Sequence, residues 1–318
     1  MRLKDALTVE GDRAGLTLAA LVREIAGEGT SWSKARDLCR AGRVLVDGAV
    51  ETDPARRAIA GERVELRLAG PAVLRGQRGP LPPDAVVHLD ADVVVVNKPA
   101  GLLTVPFERD DRDTLLAFTR VAVRRLGDPK PTLRAVQRLD KETSGLVVFA
   151  RNVRAQRHLQ EQLGRHDVTR RYLAIAHGRV ESATFDTLLL ADRGDGLRGS
   201  WNPRRHGRGE PPPDAKPAVT RVEALERLAE ATLVACELET GRQHQIRIHL
   251  SEAGHPLVGE AVYIRDWRGP RLPAPRPMLH ATVLGFLHPR SGRAVRFEAP
   301  PPADFNAVLG RLRQPAVR

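Results

Sequence analysis

The 318-residue chain carries 51 Lys and Arg against 39 Asp and Glu, a formal net charge of +12, and 42% apolar residues. That length exceeds a usual single domain, so a large domain with a small accessory one is expected, and the basic balance suits a polyanionic partner such as RNA. Cys39 and Cys236 lack the paired spacing of a zinc ribbon or disulfide framework, Met1 to Asp5 open without a signal-peptide core, and no apolar run approaches the ~18 residues of a membrane span, so a soluble cytoplasmic protein is expected.

In chain order, Leu18, Leu21, Val22 and Ile25 line one face of a predicted helix that stops before Gly27 and Gly29. A second helix starts at a cap on Ser31 or Ser33, buries Ala35, Leu38 and Cys39, and ends at Gly42, where a left-handed cap suits glycine. Asp47-Gly48 predicts a tight hairpin turn, and residues 61–66 supply another alternating strand. Residues 70–85, rich in Pro, Gly and Arg without periodicity, read as a linker. The expected division is a small module over 1–69, this linker, and a main domain over 86–318.

Within the main domain, Val93 to Val96 are too apolar for a one-faced strand and are expected to be buried on both sides, running into a turn at 97–101. A helix is predicted over 152–166, capped by Asn152, with Val153, Gln156, Leu159 and Leu163 on one stripe. Strands are expected at 172–176, 219–222 and 233–238, paired strands near 278–289, and a short helix after Pro300. Residues 191–214, full of Arg, Gly and Pro, read as a long surface loop.

The run Gln137-Arg138-Leu139-Asp140-Lys141-Glu142-Thr143-Ser144-Gly145-Leu146, with apolar residues to Ala150, places Asp140 on a loop at the mouth of a sheet. An Asp in such a turn often does no more than bond its own backbone. R-L-D-x-x-T-S-G-L, however, resembles the catalytic motif of the RluA family of RNA pseudouridine synthases. Leu238 to Leu250 contain T-G-R-Q-H-Q-I-R-I-H, similar to a second family motif, and Arg170-Arg171-Tyr172-Leu173-Ala174 resembles a third, with Arg170 in place of the usual lysine. Asn97 to Leu102, Lys216 to Thr220, Gly254 to Gly259 and Leu279 to Ala281 are further family-like pieces, read as structural. The resemblance runs from about residue 86 to 297 in the family's order.

The resemblance implies an α+β fold: a pseudouridine synthase domain with a central mixed, largely antiparallel sheet flanked by helices and loops. It implies an RNA pseudouridine synthase in which Asp140, Tyr172 and Arg247 are catalytic, Arg247 pairing with Asp140. Ile246 packs on the uracil, and Arg138 fills the space left by the flipped base. The N-terminal module resembles an S4 RNA-binding domain, whose candidates for RNA contact are Lys34, Arg36, Arg40 and Arg43. The chemistry breaks N1–C1′ and rejoins the base through C5, which needs an ionised carboxylate but no cofactor and no metal. H-E-x-x-H, a phosphate-binding glycine loop and a Cys/His cluster are all lacking from the sequence, and His244, His249 and His255 are read as structural or surface residues. Ribosomal RNA of the large subunit is the expected substrate, transfer RNA the alternative, and the protein is expected to be a monomer. A binding protein with a decayed site would have lost Asp140, Tyr172 or Arg247, and a glycoside hydrolase would need a second carboxylate. Gln137 stands where the family usually has histidine and Gln243 where threonine is common, which bears on the identity of the RNA.

Overall fold

The computed structural model describes residues 6–27, 29–40, 42–51, 53–66, 81–107, 111–193, 197–203 and 210–314. The chain divides into two compact units, Met1–Gly76 and Gln77–Arg318. Most of the expected linker lies outside the described residues. Leu81 and Ala85 pack in the main core of the second unit, so its packing begins ahead of residue 86.

The first unit comprises β1 (Ala6–Thr8), α1 (Leu18–Ala26), α2 (Trp32–Arg40), β2 (Val44–Val46), β3 (Ala49–Glu51) and β4 (Arg63–Leu66). Its strands form an antiparallel sheet in the order β1-β4-β2-β3. Thr17 caps α1 by accepting from the Ala20 amide, and Leu18, Leu21, Val22 and Ile25 pack against Ala35, Cys39, Val44 and Val64. Ser31, rather than Ser33, accepts from the Lys34 amide at the start of α2. Asp47 and Gly48 both adopt positive φ, 49° and 76°, which matches a two-residue hairpin turn.

The second unit runs β5 (Val86–Leu89), β6 (Val93–Lys98), α3 (Leu115–Arg125), β7 (Arg134–Ala135), β8 (Ser144–Ala150), α4 (Val153–Gly164), β9 (Thr169–His177), β10 (Ala183–Leu190) and β11 (Gly199–Ser200). It continues with β12 (Lys216–Arg227), β13 (Ala231–Leu238), α5 (Gln245–Glu252), β14 (Leu279–Leu287), β15 (Ala294–Glu298) and α6 (Ala303–Arg313). Among the described residues one sheet has the order β11-β10-β12-β13-β9-β14-β8-β6-β5, with β15 added to β14 and β7 to β8. Its pairings are antiparallel except β14 with β8, so the sheet is mixed and largely antiparallel.

Both faces of this sheet are covered. Val94 and Val96 enter a core with Phe149, Tyr172 and Val234, whereas Val93 and Val95 enter a second core with Leu159 and Phe286 under α4, so the valine run is buried on both sides. The parallel contact of β8 with β14 carries the site. Gly145 has φ +115°, and a Cβ there would lie 2.6 Å from the Ala281 backbone nitrogen, so only glycine lets the two strands meet. Ala281 pairs with Gly145 on one side and Tyr172 on the other. At about 4.8 Å per strand, this row sets Tyr172 roughly 10 Å from the start of β8.

Three expectations need correcting. Asn152 does cap α4, and Leu159 and Leu163 of the expected stripe pack in the core under it, but the fully buried positions are Ala155, Leu159 and Gln162, while Val153 is 42% exposed. Residues 191–214 are not all surface loop: β11 adds an edge strand, and Arg193 and Leu197 are buried, while 194–196 and 204–209 lie outside the described residues. Near 278–289 there is a single strand, β14, whose hairpin partner β15 starts only at Ala294.

Candidate active site

Asp140 lies on the loop between β7 and β8, with 23% of its side chain exposed. Neighbouring backbone is pinned from several directions. Thr104 Oγ1 donates to the Leu139 carbonyl at 2.9 Å and accepts from the Leu139 amide at 3.1 Å. Lys98 Nζ donates to the carbonyls of Lys141 at 2.8 Å, Leu102 at 2.7 Å and Pro99 at 3.0 Å, using all three ammonium protons. Burial pulls the Lys98 ammonium down to about 7, against the opposing charges of Glu142 and Asp140. The Gly101 amide and Arg276 Nη1 bond the carbonyls of Lys141 and Glu142. The turn at 97–101 therefore clamps the Asp140 loop.

Helix α5 supplies the groups facing the carboxylate. Arg247 Nη1 is 3.5 Å from Asp140 Oδ2. Its other edge donates from Nε and Nη2 to Glu260 at 2.8 and 2.7 Å, a bidentate pair whose carboxylate is fully buried. Glu260 Oε1 also accepts from the amides of Ala261, Val262 and Tyr263. Burial alone would raise the Glu260 carboxyl, but the Arg247 guanidinium and these bonds outweigh it and hold it low, at about 2. Arg247 is pushed above its ordinary value: burial opposes the charge, and Glu260 and then Asp140 more than offset it.

Tyr172 is buried in the main core that also contains Leu139 of the Asp140 loop and Ile246 of α5. Burial raises the Tyr172 phenol to about 12, with Arg170 opposing the shift and Asp140 adding to it. The phenol keeps its proton at neutral pH. Arg170 donates Nη2 to the Leu238 and Glu239 carbonyls, tying β9 to the segment that leads to α5. Arg138 is exposed on the loop, two residues before Asp140. In the first unit, Lys34 and Arg36 are exposed on α2 and Arg43 is half-buried, while the Arg40 side chain lies outside the described residues.

Sequence reasoning missed Glu260, His244 and Tyr263. His244 is no surface histidine: its Nδ1 is 2.8 Å from the Tyr263 hydroxyl and its Nε2 is 3.9 Å from Asp140 Oδ2. A signal was present, since an arginine buried on α5 requires a carboxylate, and Glu260 follows the family-like piece ending at Gly259. Tyr263, the second of two tyrosines in the chain, stands three residues further on.

A carboxylate held beside a buried arginine, on a loop leading into a mixed sheet whose main core contains a tyrosine, is an arrangement suited to nucleophilic or acid–base chemistry. A family model described as RNA pseudouridylate synthase matches residues 92–252. The uncharacterized RNA pseudouridine synthase YlyB of Bacillus subtilis is 38% identical, with 80% of each chain covered. Ribosomal large subunit pseudouridine synthase D of Xanthomonas campestris is 34% identical over 98% of this chain and 93% of its own. The solved structure of human RNA pseudouridylate synthase domain containing 4 superposes with a TM-score of 0.58 at 24% identity, covering 72% of this chain and 93% of that one. The chain belongs to the RNA pseudouridylate synthase family and is an isomerase acting on RNA.

Proposed function

We propose that the protein converts uridines of large-subunit ribosomal RNA to pseudouridine, with Asp140 as the catalytic carboxylate. The observation that carries this reading is the approach of Arg247 to Asp140, 3.5 Å between Nη1 and Oδ2, on a loop pinned through Lys98 and Thr104. Relatives named ribosomal large subunit pseudouridine synthase D, from Xanthomonas and at 40% identity from Neisseria meningitidis, favour the ribosomal substrate over transfer RNA.

The target uridine leaves its stack to reach Asp140, Arg138 filling the vacated space with its planar guanidinium. Asp140 then either attacks C1′ or stabilises an oxocarbenium-like state and abstracts a ribose proton; in both routes the N1–C1′ bond breaks. Uracil turns against Tyr172 and Ile246 and rejoins through C5, and the C5 proton leaves while N1 gains one. Arg247, 3.5 Å from Oδ2, supplies the positive charge that faces the carboxylate. A protonated Tyr172 serves here as a stacking wall. The first unit acts as an S4-like arm on RNA through Lys34, Arg36, Arg40 and Arg43, and the protein works as a cytoplasmic monomer.

Purified protein incubated with ribosomal or transfer RNA carrying tritium at uridine C5 tests this reading, because each conversion releases one tritium to water. Release from large-subunit RNA is expected. Release from transfer RNA alone would reassign the substrate, and no release from either would overturn the proposal.

A further inference from the structure

His244 has no task in that chemistry, yet the chain places it at a cost. Its φ of +60° lies in the left-handed region that side chains other than glycine rarely adopt. It occupies the N-cap position of α5, but its side chain makes no capping bond. The imidazole instead spans from Tyr263 to Asp140. The amides of 261–263, bonded to Glu260, fix the Tyr263 turn, so one buried carboxylate positions both Arg247 and the tyrosine behind His244.

The tautomer follows from the partners. Burial raises the Tyr263 phenol, so it keeps its proton, and because Nε2 faces the acceptor-only carboxylate of Asp140, the matching arrangement has the hydroxyl donating to Nδ1 and the ring proton on Nε2. Burial likewise lowers His244; Asp140 and Glu260 oppose that shift, while Arg247 and Arg198 reinforce it. The ring is therefore neutral near pH 7, with its single proton on Nε2, facing Asp140.

The 3.9 Å between Nε2 and Asp140 Oδ2 is too long for a direct hydrogen bond. It fits one bridging hydroxyl. An oxygen about 2.8 Å from each atom subtends roughly 90° there, an angle a hydroxyl accepting one bond and donating another can adopt. Both side chains keep about a quarter of their surface open, 24% for His244 and 23% for Asp140, so the gap is reachable. We propose that His244, held by Tyr263, is a specificity-determining residue that receives the 2′-hydroxyl of the target uridine between Nε2 and Asp140 Oδ2. This rests on Asp140 acting at the ribose. The 2′-hydroxyl is the donor-acceptor group that separates RNA from DNA, and it neighbours C1′. Bridged this way, Oδ2 is occupied and Oδ1 remains for the reacting carbon.

The test compares two otherwise identical RNAs, one with uridine and one with 2′-deoxyuridine at the position modified by the wild type. Product is measured by nucleoside chromatography as kcat/KM. Wild type should favour the ribose substrate ~100-fold or more, and His244→Ala should shrink that preference at least tenfold, mainly by losing activity on the ribose substrate. His244→Gln, whose amide N–H reaches the Nε2 position, should recover part of the preference, and Tyr263→Phe should fall between. A purely structural role would lower both rates together. An unchanged ratio in His244→Ala and His244→Gln, with Asp140→Asn inactive, overturns this inference alone; activity retained by Asp140→Asn overturns the reading of the site beneath it.

Discussion

Replacing Glu260 by Gln removes one charge from the pair that orients Arg247. In the wild type, Glu260 accepts two guanidinium bonds of 2.7 and 2.8 Å and three backbone amides. The glutamine must turn an NH2 group either toward Arg247 Nε or toward the three amides, donor against donor in both cases. Breaking a buried pair by neutralising one partner costs about 3–5 kcal/mol. Asp140, 3.5 Å from Nη1, remains as an anion for Arg247, which argues for the lower end. For a unit spanning Gln77–Arg318, a loss of about 3 kcal/mol corresponds to a fall in Tm of roughly 6–12 °C. Released from its brace, Arg247 shifts toward Asp140 and the site loses its geometry, so kcat should fall by about 100-fold. Calorimetry together with single-turnover assays on the same preparation reads both effects. A variant that melts within 2 °C of wild type and keeps full kcat would refute the claim that Glu260 orients the site.

Other outcomes follow from the same geometry. Lys98→Met removes the donor to the Leu102 and Pro99 carbonyls and leaves the Lys141 carbonyl with the Gly101 amide alone, at about 1–3 kcal/mol for each unsatisfied group; urea unfolding should show the loss, and kcat should fall more than KM rises as the Asp140 loop loosens. Gly145→Ala sets a Cβ against the Ala281 backbone at a φ of +115°, so Tm should drop steeply, and an unaltered Tm would contradict the close strand contact. His249 and His280 are each lowered by burial to about 4. Because their folded values lie below the unfolded 6.5, the stability they carry is intact above pH 6.5 and is lost as pH falls toward 4, by roughly 2 kcal/mol each at pH 5. Urea midpoints at pH 7.5 and 5 should show that decline, and His280→Gln should flatten it.

Much of the fold was legible because its signals are local. The valine run reports a strand buried on both faces, Asp47-Gly48 reports a hairpin, and Asn152 reports a helix start. Val153 was misplaced because periodicity gives a helix stripe but not which neighbours cover its first turn. The short edge strand β11, which pairs with the end of β10, escaped because two residues in an Arg/Gly-rich stretch carry no period. Asp140, Tyr172 and Arg247 were singled out through motif order. The row Gly145–Ala281–Tyr172, which relates the strand after Asp140 to the strand of Tyr172, is a matter of register, and the approach of Arg247 from α5 is a tertiary contact; neither can be read from any one segment. Glu260 and His244 were missed for the same reason: an ion pair thirteen residues apart and an imidazole aimed by a left-handed backbone exist only once the chain is folded.

The most direct test of the central claim is a map of pseudouridine in total RNA from cells lacking the protein, complemented with wild type or with Asp140→Asn. Asparagine keeps the shape of the loop while removing the charge that Arg247 faces at 3.5 Å. Specific sites in large-subunit ribosomal RNA should disappear in the deletion, return with wild type and stay absent with Asp140→Asn at equal protein level. Their return with Asp140→Asn would show that another group performs the chemistry.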